Sequence, residues 1–129
     1  MEDLNGRYRQ SLLYDFYGEL LNEHQKEVYS AAVFDDMSYT ELAEEFNVSR
    51  QAAFDLVKRI QKKLEGYESR LGLVGRFVSA RERADSLRER IDLLKQEIDE
   101  SVSGDKVKNN LKEKIDNIAD LSEEVFDFF

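Results

Sequence analysis

Apolar side chains recur along the chain at spacings of three and four residues, the period of helices that bury one face. In the first stretch, residues 8–21, they are Leu12, Leu13, Phe16, Tyr17, Leu20 and Leu21. In the second, residues 22–34, they are Val28, Ala31, Ala32 and Val33. Asn22 and Gln25 have the spacing of a capping box, which starts a helix. The pattern therefore predicts one helix over 8–21 and a second that ends near Phe34.

A third helix is predicted in the segment SYTELAEEFNVSRQAAFDLVKRIQKKL. Ser38 and Glu41 form a second capping box at its start. A short helix over 39–46 follows, and its apolar residues Leu42 and Phe46 are expected to be buried.

The same segment continues into a long basic helix. Asn47 tolerates the left-handed conformation that ends a helix, and Ser49 is a favoured cap for the next one. The fourth helix is predicted from Arg50 to about Arg70, and Gly72 is expected to stop it. A short helix, a three-residue turn and a longer helix form the layout of a helix-turn-helix motif, whose second helix enters the major groove of DNA.

The fourth helix has an apolar and a polar face when its residues are placed about 100° apart. The apolar face consists of Ala53, Leu56, Val57, Ile60 and Leu64. The opposite face consists of Gln51, Asp55, Lys58 and Lys62, with Arg50, Phe54 and Arg59 on the flanks. We expect one buried cluster where the third and fourth helices cross, made of Leu42, Phe46, Val48, Val57 and Ile60.

The polar face carries the residue types that read DNA. Gln can bond adenine bidentately, Arg can bond guanine and Asp can accept from the cytosine amino group, while Lys and Arg contact phosphates. The candidate DNA-binding residues are Ser49, Arg50, Gln51, Phe54, Asp55, Lys58, Arg59, Lys62 and Lys63. The same pattern is also compatible with an ordinary helical hairpin whose outer face is only solvated.

Beyond Gly72 a heptad pattern begins, with apolar residues alternately four and three positions apart. They are Ala80, Ala84, Leu87, Ile91, Leu94 and Ile98. A turn is predicted around Gly104. The last helix, over 105–127, is marked by Val107, Leu111, Ile115, Ile118, Leu121 and Val125. The two helices are expected to fold into an antiparallel hairpin.

A two-helix hairpin leaves apolar surface uncovered, so we expect two copies of the chain to pair in a four-helix arrangement. The predicted homodimer interface consists of Ala84, Leu87, Ile91, Leu94 and Ile98. The alternative is a monomer whose tail packs back against the first helix.

The composition favours an all-α protein, because the 129 residues include no proline and only six glycines. We expect two domains. Residues 1–72 form a helical domain with the helix-turn-helix at about 39–65, and residues 73–129 form a hairpin extension that mediates oligomerisation.

The net charge of −9 disfavours general association with nucleic acid. Residues 49–64 reverse this balance locally, because they hold five basic side chains against Asp55 alone, a net charge of +4. Glu41, Glu44 and Glu45 of the third helix are expected to repel a phosphate backbone nearby. Binding to duplex DNA should therefore be weak and sensitive to salt.

The chain offers little catalytic chemistry. It contains no cysteine, His24 is its one histidine, and it has neither a glycine-rich phosphate loop nor an HExxH motif. We therefore expect no enzyme activity, no cofactor and no metal site. A cytoplasmic protein is expected, because the absence of cysteine suits a reducing compartment and no apolar run is long enough to span a membrane.

Residues 8–75 resemble the YlxM-like family of small bacterial proteins to which DNA binding is ascribed. The matching segments are LLYDFYGELLNEHQKEV and SYTELAEEFNVSRQAAFDLVKRIQKKLEGYESRLGL. The second is also similar to region 4 of sigma-70 factors, which reads the −35 promoter element. The resemblance implies a DNA-binding helix-turn-helix, and the family's gene neighbourhood implies a part in the signal recognition particle pathway. Ala53, where a larger aliphatic residue is expected, and Gly66, inside the basic helix, depart from the family pattern.

A different class of function is also compatible with the sequence. A protein-interaction module could keep the sigma-like fold and bind a component of the signal recognition particle or of RNA polymerase instead of DNA. Its support is Phe54 near the exposed face, the heptad pattern, and Phe128 and Phe129. RNA binding is the least favoured function, because the chain lacks the exposed paired aromatics of RNA-stacking modules.

Overall fold

The computed structural model describes the backbone of residues 2–101 and 103–127, and the side chains of residues 6–101 and 103–127. Every regular element in these ranges is helical, which confirms the predicted all-α fold. The elements are α1 (Glu2–Tyr17), a 3₁₀ turn (Gly18–Leu20), α2 (Glu23–Val33), α3 (Tyr39–Phe46), α4 (Arg50–Leu71), α5 (Leu73–Ser101) and α6 (Asp105–Asp127). Phe128 and Phe129, which supported the protein-interaction hypothesis, lie outside the described residues.

The chain divides into two compact units, Met1–Gly75 and Arg76–Phe129. The first contains α1 to α4 and the start of α5, and the second contains the remainder of α5 and α6. No helix in the described ranges combines the length and the apolar character needed to cross a lipid bilayer.

The core of the first unit is formed by the inner faces of α1, α2 and α4, with one residue from α3. Its fully buried side chains are Leu13, Tyr17, Val28, Tyr29, Leu42, Ile60 and Leu64. Leu20, predicted to lie on the buried stripe of the first helix, is instead 53% exposed. The prediction failed because the chain leaves α-helical geometry at Gly18, so the α-helical spacing no longer holds there.

Capping hydrogen bonds define where α2 begins. The Asn22 side chain accepts from the Gln25 backbone N–H at 2.8 Å, and the Gln25 side chain accepts from the Asn22 N–H at 3.1 Å. Together they satisfy two donors that the first turn of a helix leaves free. The predicted capping box is therefore confirmed.

The two helices α3 and α4 pack against each other and form the predicted helix-turn-helix. Ser38 and Glu41 bond reciprocally at the start of α3. Asn47 ends that helix in the left-handed conformation, with a φ of 53°. At the start of α4, Ser49 Oγ accepts from the Ala52 N–H at 3.0 Å. Local capping chemistry thus produces the short turn that the motif requires.

The cluster predicted between α3 and α4 is correct for Leu42, Val57 and Ile60, which are buried, and wrong for Val48. Val48 lies in the turn, where its N–H bonds the carbonyl oxygen of Ala43 at 3.0 Å. Its side chain is 40% exposed, because the backbone of the turn directs it away from the core.

Phe46 was also predicted in this cluster, and it is only half-buried. Its ring packs edge-on against the exposed His24, with 5.8 Å between ring centroids. Phe46 therefore lies at the border of the core, beside the start of α2.

In the second unit α5 and α6 run antiparallel, as predicted. Ion pairs join them at successive levels: Arg88 with Glu123, Lys95 with Asp116, and Asp99 with Lys112. As the residue numbers rise along α5, those of the ion-pair partners on α6 fall, so the two helices are antiparallel. These pairs also fix their register. The chain reverses at Gly104, whose φ of 102° is accessible to glycine.

Candidate nucleic-acid interface

The outer face of α4 and its flanks carry five exposed basic side chains. They are Arg50, Lys58, Arg59, Lys62 and Lys63. Among the residues that the structure describes, none of these five forms an ion pair. Their charges therefore remain available to a negatively charged partner.

Three other basic residues of the first unit form ion pairs with carboxylates. The pairs are Arg7–Asp36, Arg9–Glu65 and Lys26–Glu19, with N···O distances of 2.6, 2.6 and 3.3 Å. The basic side chains of α4 differ from these sites, since no carboxylate in the part of the chain that the structure describes forms an ion pair with them.

The N-terminal turns of α4 hold the candidates for reading bases. Ser49 uses its hydroxyl oxygen to cap the helix, so its contribution is to fix the first turn. Gln51 Nε2 donates to Asp55 Oδ1 at 3.1 Å, and both side chains are exposed. Ala52 is also exposed, and its methyl group can contact the thymine C5-methyl. Ala52 was not predicted as a site residue from the sequence, although its place in the first turn of the second helix could have identified it.

Phe54 connects the two helices of the motif. Its ring packs edge-on against Tyr39 of α3 with centroids 5.1 Å apart, and Lys58 Nζ lies 5.4 Å from its centroid. The Lys58 ammonium is thus attracted to the ring face. These contacts give Phe54 a structural role in addition to the DNA contact predicted for it.

Hydrogen bonds anchor the C-terminal half of α4 on its inner side. Arg9 of α1 donates to both oxygens of Glu65, at 2.9 and 2.6 Å. Glu68 accepts from Tyr17 Oη at 2.5 Å and from the Val74 N–H at 2.9 Å. These residues were not predicted from the sequence, because the side-chain partners on α1 and α4 are more than fifty positions apart.

These contacts keep the anchoring carboxylates ionised. The hydrogen bond from Arg9 lowers the pKa of Glu65 below its ordinary value. Burial alone would raise the pKa of Glu68, but hydrogen bonds from Tyr17 and from the Val74 and Gly75 N–H groups lower it overall. Burial raises the pKa of Tyr17, whose hydroxyl therefore stays protonated and able to donate.

The acidic residues of α3 have different roles. The Glu41 carboxylate accepts from the Ser38 N–H at 3.2 Å, so it is engaged at the start of its own helix. Glu44 and Glu45 are exposed. Their charges oppose the basic face of α4 at long range.

The predicted dimerisation residues separate into two groups. Ile98 is 8% exposed, because it packs inside its own hairpin, so the prediction that it faces a partner is corrected. Ala84 and Ile91 are partly covered in the same way. Leu87 and Leu94 remain exposed.

The hairpin also has an exposed apolar surface. It consists of Leu87 and Leu94 of α5 and of Ile118, Leu121 and Val125 of α6. We call it the outer seam. A groove of about 400 Å³ adjoins it between the two helices, lined mainly by apolar side chains that include Ala80, Ala84 and Phe126.

The described residues contain no group of three or more His, Cys, Asp or Glu side chains arranged to hold a metal ion.

Comparison with known proteins gives a family match and several relatives. The model of the UPF0122 family, described as "Putative helix-turn-helix protein, YlxM / p13 like", matches residues 4–124. A UPF0122 protein of Listeria innocua is 46% identical over 79 residues, which are 61% of this chain and 72% of the relative. One of Listeria monocytogenes is 43% identical over 94 residues, 73% of this chain and 84% of the relative.

A UPF0122 protein of Halalkalibacterium halodurans is 44% identical over 79 residues, 61% of this chain and 72% of the relative. No solved structure is significantly similar to the chain. The family match agrees with the resemblance expected from the sequence.

Proposed function

We propose, from the premise that this chain belongs to the UPF0122 family of YlxM / p13-like helix-turn-helix proteins, that it binds duplex DNA through the outer face of α4. In this mode α4 enters the major groove and its N-terminal turns meet the base edges. Arg50 and Gln51 would contact bases, and Lys58, Arg59, Lys62 and Lys63 would contact phosphates.

The observation that carries this proposal is the set of five exposed basic side chains on the outer face and flanks of a capped helix, none of which forms an ion pair within the described residues. A helix that serves only as a solvated surface has no need to concentrate one sign of charge. Each cation that neutralises a phosphate releases a counterion, so this face favours DNA although the chain carries a net charge of −9.

The test reverses two of these charges. Lys58→Glu with Lys62→Glu should abolish the shift of a duplex DNA probe and leave helicity unchanged, because both side chains are exposed and form no ion pair in the described chain. The matched control is Lys106→Glu with Lys114→Glu, which changes net charge equally at exposed lysines of α6. Probe binding by the first double variant at wild-type strength would reject this surface.

Salt dependence provides a second measurement. A phosphate contact contributes a slope of about −0.9 to log affinity against log salt. Lys58→Gln should therefore weaken binding to all duplexes alike and reduce the slope by about one. An unchanged slope would remove Lys58 from the phosphate-contacting set.

We also propose that the chain forms a homodimer through the outer seam of its hairpin. Five exposed apolar side chains on one side of two antiparallel helices match the surface that pairs in four-helix bundles. A dimer would present two copies of α4 to two half-sites, which would offset the weak attraction expected of each copy.

The resemblance to the YlxM-like family supports one further proposal, a role in the signal recognition particle pathway within the cytoplasm. The alternative function is that of a protein-interaction module. It is tested by titrating this protein separately with the signal recognition particle proteins and with duplex DNA at physiological salt. Binding of the proteins with no binding of DNA would favour the alternative.

A further inference from the structure

A side-chain hydrogen bond joins Gln51 and Asp55, two of the candidate base readers in the N-terminal turns of α4. Gln51 Nε2 donates to Asp55 Oδ1 at 3.1 Å, across one turn of the helix. A Gln and an Asp four residues apart are neighbours on a helix surface and stabilise each other modestly. Both side chains are exposed, and both lie on the outer face of α4, which is the face proposed to bind DNA.

The chemistry of the two groups dictates the orientation of the Gln51 carboxamide. A carboxylate offers only acceptors, so the group of Gln51 that faces Asp55 has to be its NH₂. One amide hydrogen is used in this bond, and the second hydrogen and Oε1 remain available. A donor and an acceptor in that arrangement match the N7 acceptor and N6 amino donor of adenine.

From this geometry we propose that Asp55 is a positioning residue, which orients Gln51 toward an adenine and thereby narrows the DNA sequences that the protein prefers. The inference rests on the proposed function, namely that the outer face of α4 binds duplex DNA. It differs from the sequence-based expectation, in which Asp55 itself accepts from a cytosine amino group.

The negative charge of Asp55 adds to the same effect. Asp55 is the single acidic residue among the five basic ones of residues 49–64. Its charge weakens the attraction to every phosphate backbone alike, so that a correct base contact makes up a larger share of the total affinity.

Two substitutions separate orientation from charge. Asp55→Ala removes both the acceptor and the charge, whereas Asp55→Asn keeps an acceptor oxygen, removes the charge and adds an amide donor. Binding sites would be selected from a random duplex library with the wild type, both Asp55 variants and Gln51→Ala, and affinities would be measured for the selected duplex and its single-base variants. Glu44→Ala is the matched control, because it removes one exposed negative charge from the neighbouring helix.

We expect Asp55→Ala and Gln51→Ala to lose preference at the same base pair, each by about fivefold, the lower end of what a bidentate contact contributes. The double variant should lose no more than either single variant, because both act through one contact. Asp55→Asn should bind all duplexes more tightly and lose less of the preference than Asp55→Ala, because its oxygen still accepts from Gln51 while its amide nitrogen also permits the reversed carboxamide. Glu44→Ala should keep the preference.

Three results would overturn this inference without affecting the proposed function. They are an undiminished preference in Asp55→Ala, a loss at a base pair other than the one that Gln51→Ala affects, and an equal loss in Glu44→Ala. A wild-type protein that binds no duplex at all would instead overturn the proposed function, and the inference with it.

Discussion

Leu42 is the side chain that α3 contributes to the core of the first unit, and it is 1% exposed. Truncating it to Ala leaves a cavity between the helices of the motif, so Leu42→Ala should lower the free energy of unfolding by about 2–5 kcal/mol. Urea unfolding followed by circular dichroism measures this change.

Val48→Ala is the matched control for Leu42→Ala, because its side chain lies in the neighbouring turn and is exposed. We expect its unfolding free energy to stay within about 0.5 kcal/mol of wild type. Equal effects of the two variants would contradict the assignment of Leu42 to the core and Val48 to the surface.

Glu68 is one of the residues that make the stability of the first unit sensitive to acid. Its pKa in the folded protein is below the ordinary value of 4.5, although burial opposes this, because Tyr17, Val74 and Gly75 donate to the carboxylate. Its contribution to stability is therefore complete above the unfolded pKa and is lost as the pH falls through the lower folded pKa.

Glu68→Gln should be less stable than wild type at pH 7 and should lose less stability than wild type between about pH 5 and pH 3. Urea unfolding at several pH values in this range measures both effects. The exposed Glu44→Gln serves as control and should follow the wild-type profile. A Glu68→Gln profile parallel to wild type would show that the carboxylate makes no such contribution.

The turn between α3 and α4 depends on one backbone conformation. Asn47 has a φ of 53°, which costs most residues other than glycine about 1–2 kcal/mol. Asn47→Val should therefore lower the unfolding free energy by about that amount, because a β-branched residue fits this conformation poorly.

Asn47→Gly should be about as stable as wild type, since glycine adopts the left-handed conformation freely. Thermal melts of the two variants give the comparison. Equal melting temperatures of Asn47→Val and Asn47→Gly would contradict the left-handed conformation of Asn47 at the end of α3.

At the scale of the whole molecule, the outer seam is what the proposed homodimer would bury. Light scattering at micromolar concentration should give twice the 15.1 kDa of one chain. Leu121→Asp places a charge within the seam and should give a monomer, because burying an unpaired charge in an apolar interface is costly.

Asn109→Asp adds the same charge to an exposed position of α6 outside the seam, and it should remain a dimer. A wild-type mass near that of one chain would reject the dimer. A dimeric Leu121→Asp variant would move the interface to another surface.

The sequence by itself determined the features that depend on near neighbours. The capping boxes at Asn22 and Ser38 and the left-handed Asn47 were predicted, because each involves groups within three or four positions of one another. The basic outer face of α4 was predicted for the same reason, since the period of a helix relates the position of a residue in the sequence to the direction of its side chain.

Only the tertiary structure decided which apolar residues became core and which side chains met across elements. Val48 and Leu20 have core-like side chains and are exposed, while Ile98 is buried in its own hairpin. The contacts of Glu68 with Tyr17, like the ion pairs that set the register of α5 and α6, join residues far apart in sequence. Such contacts follow from how whole helices pack together, and a periodic pattern along one helix does not specify the partner on another.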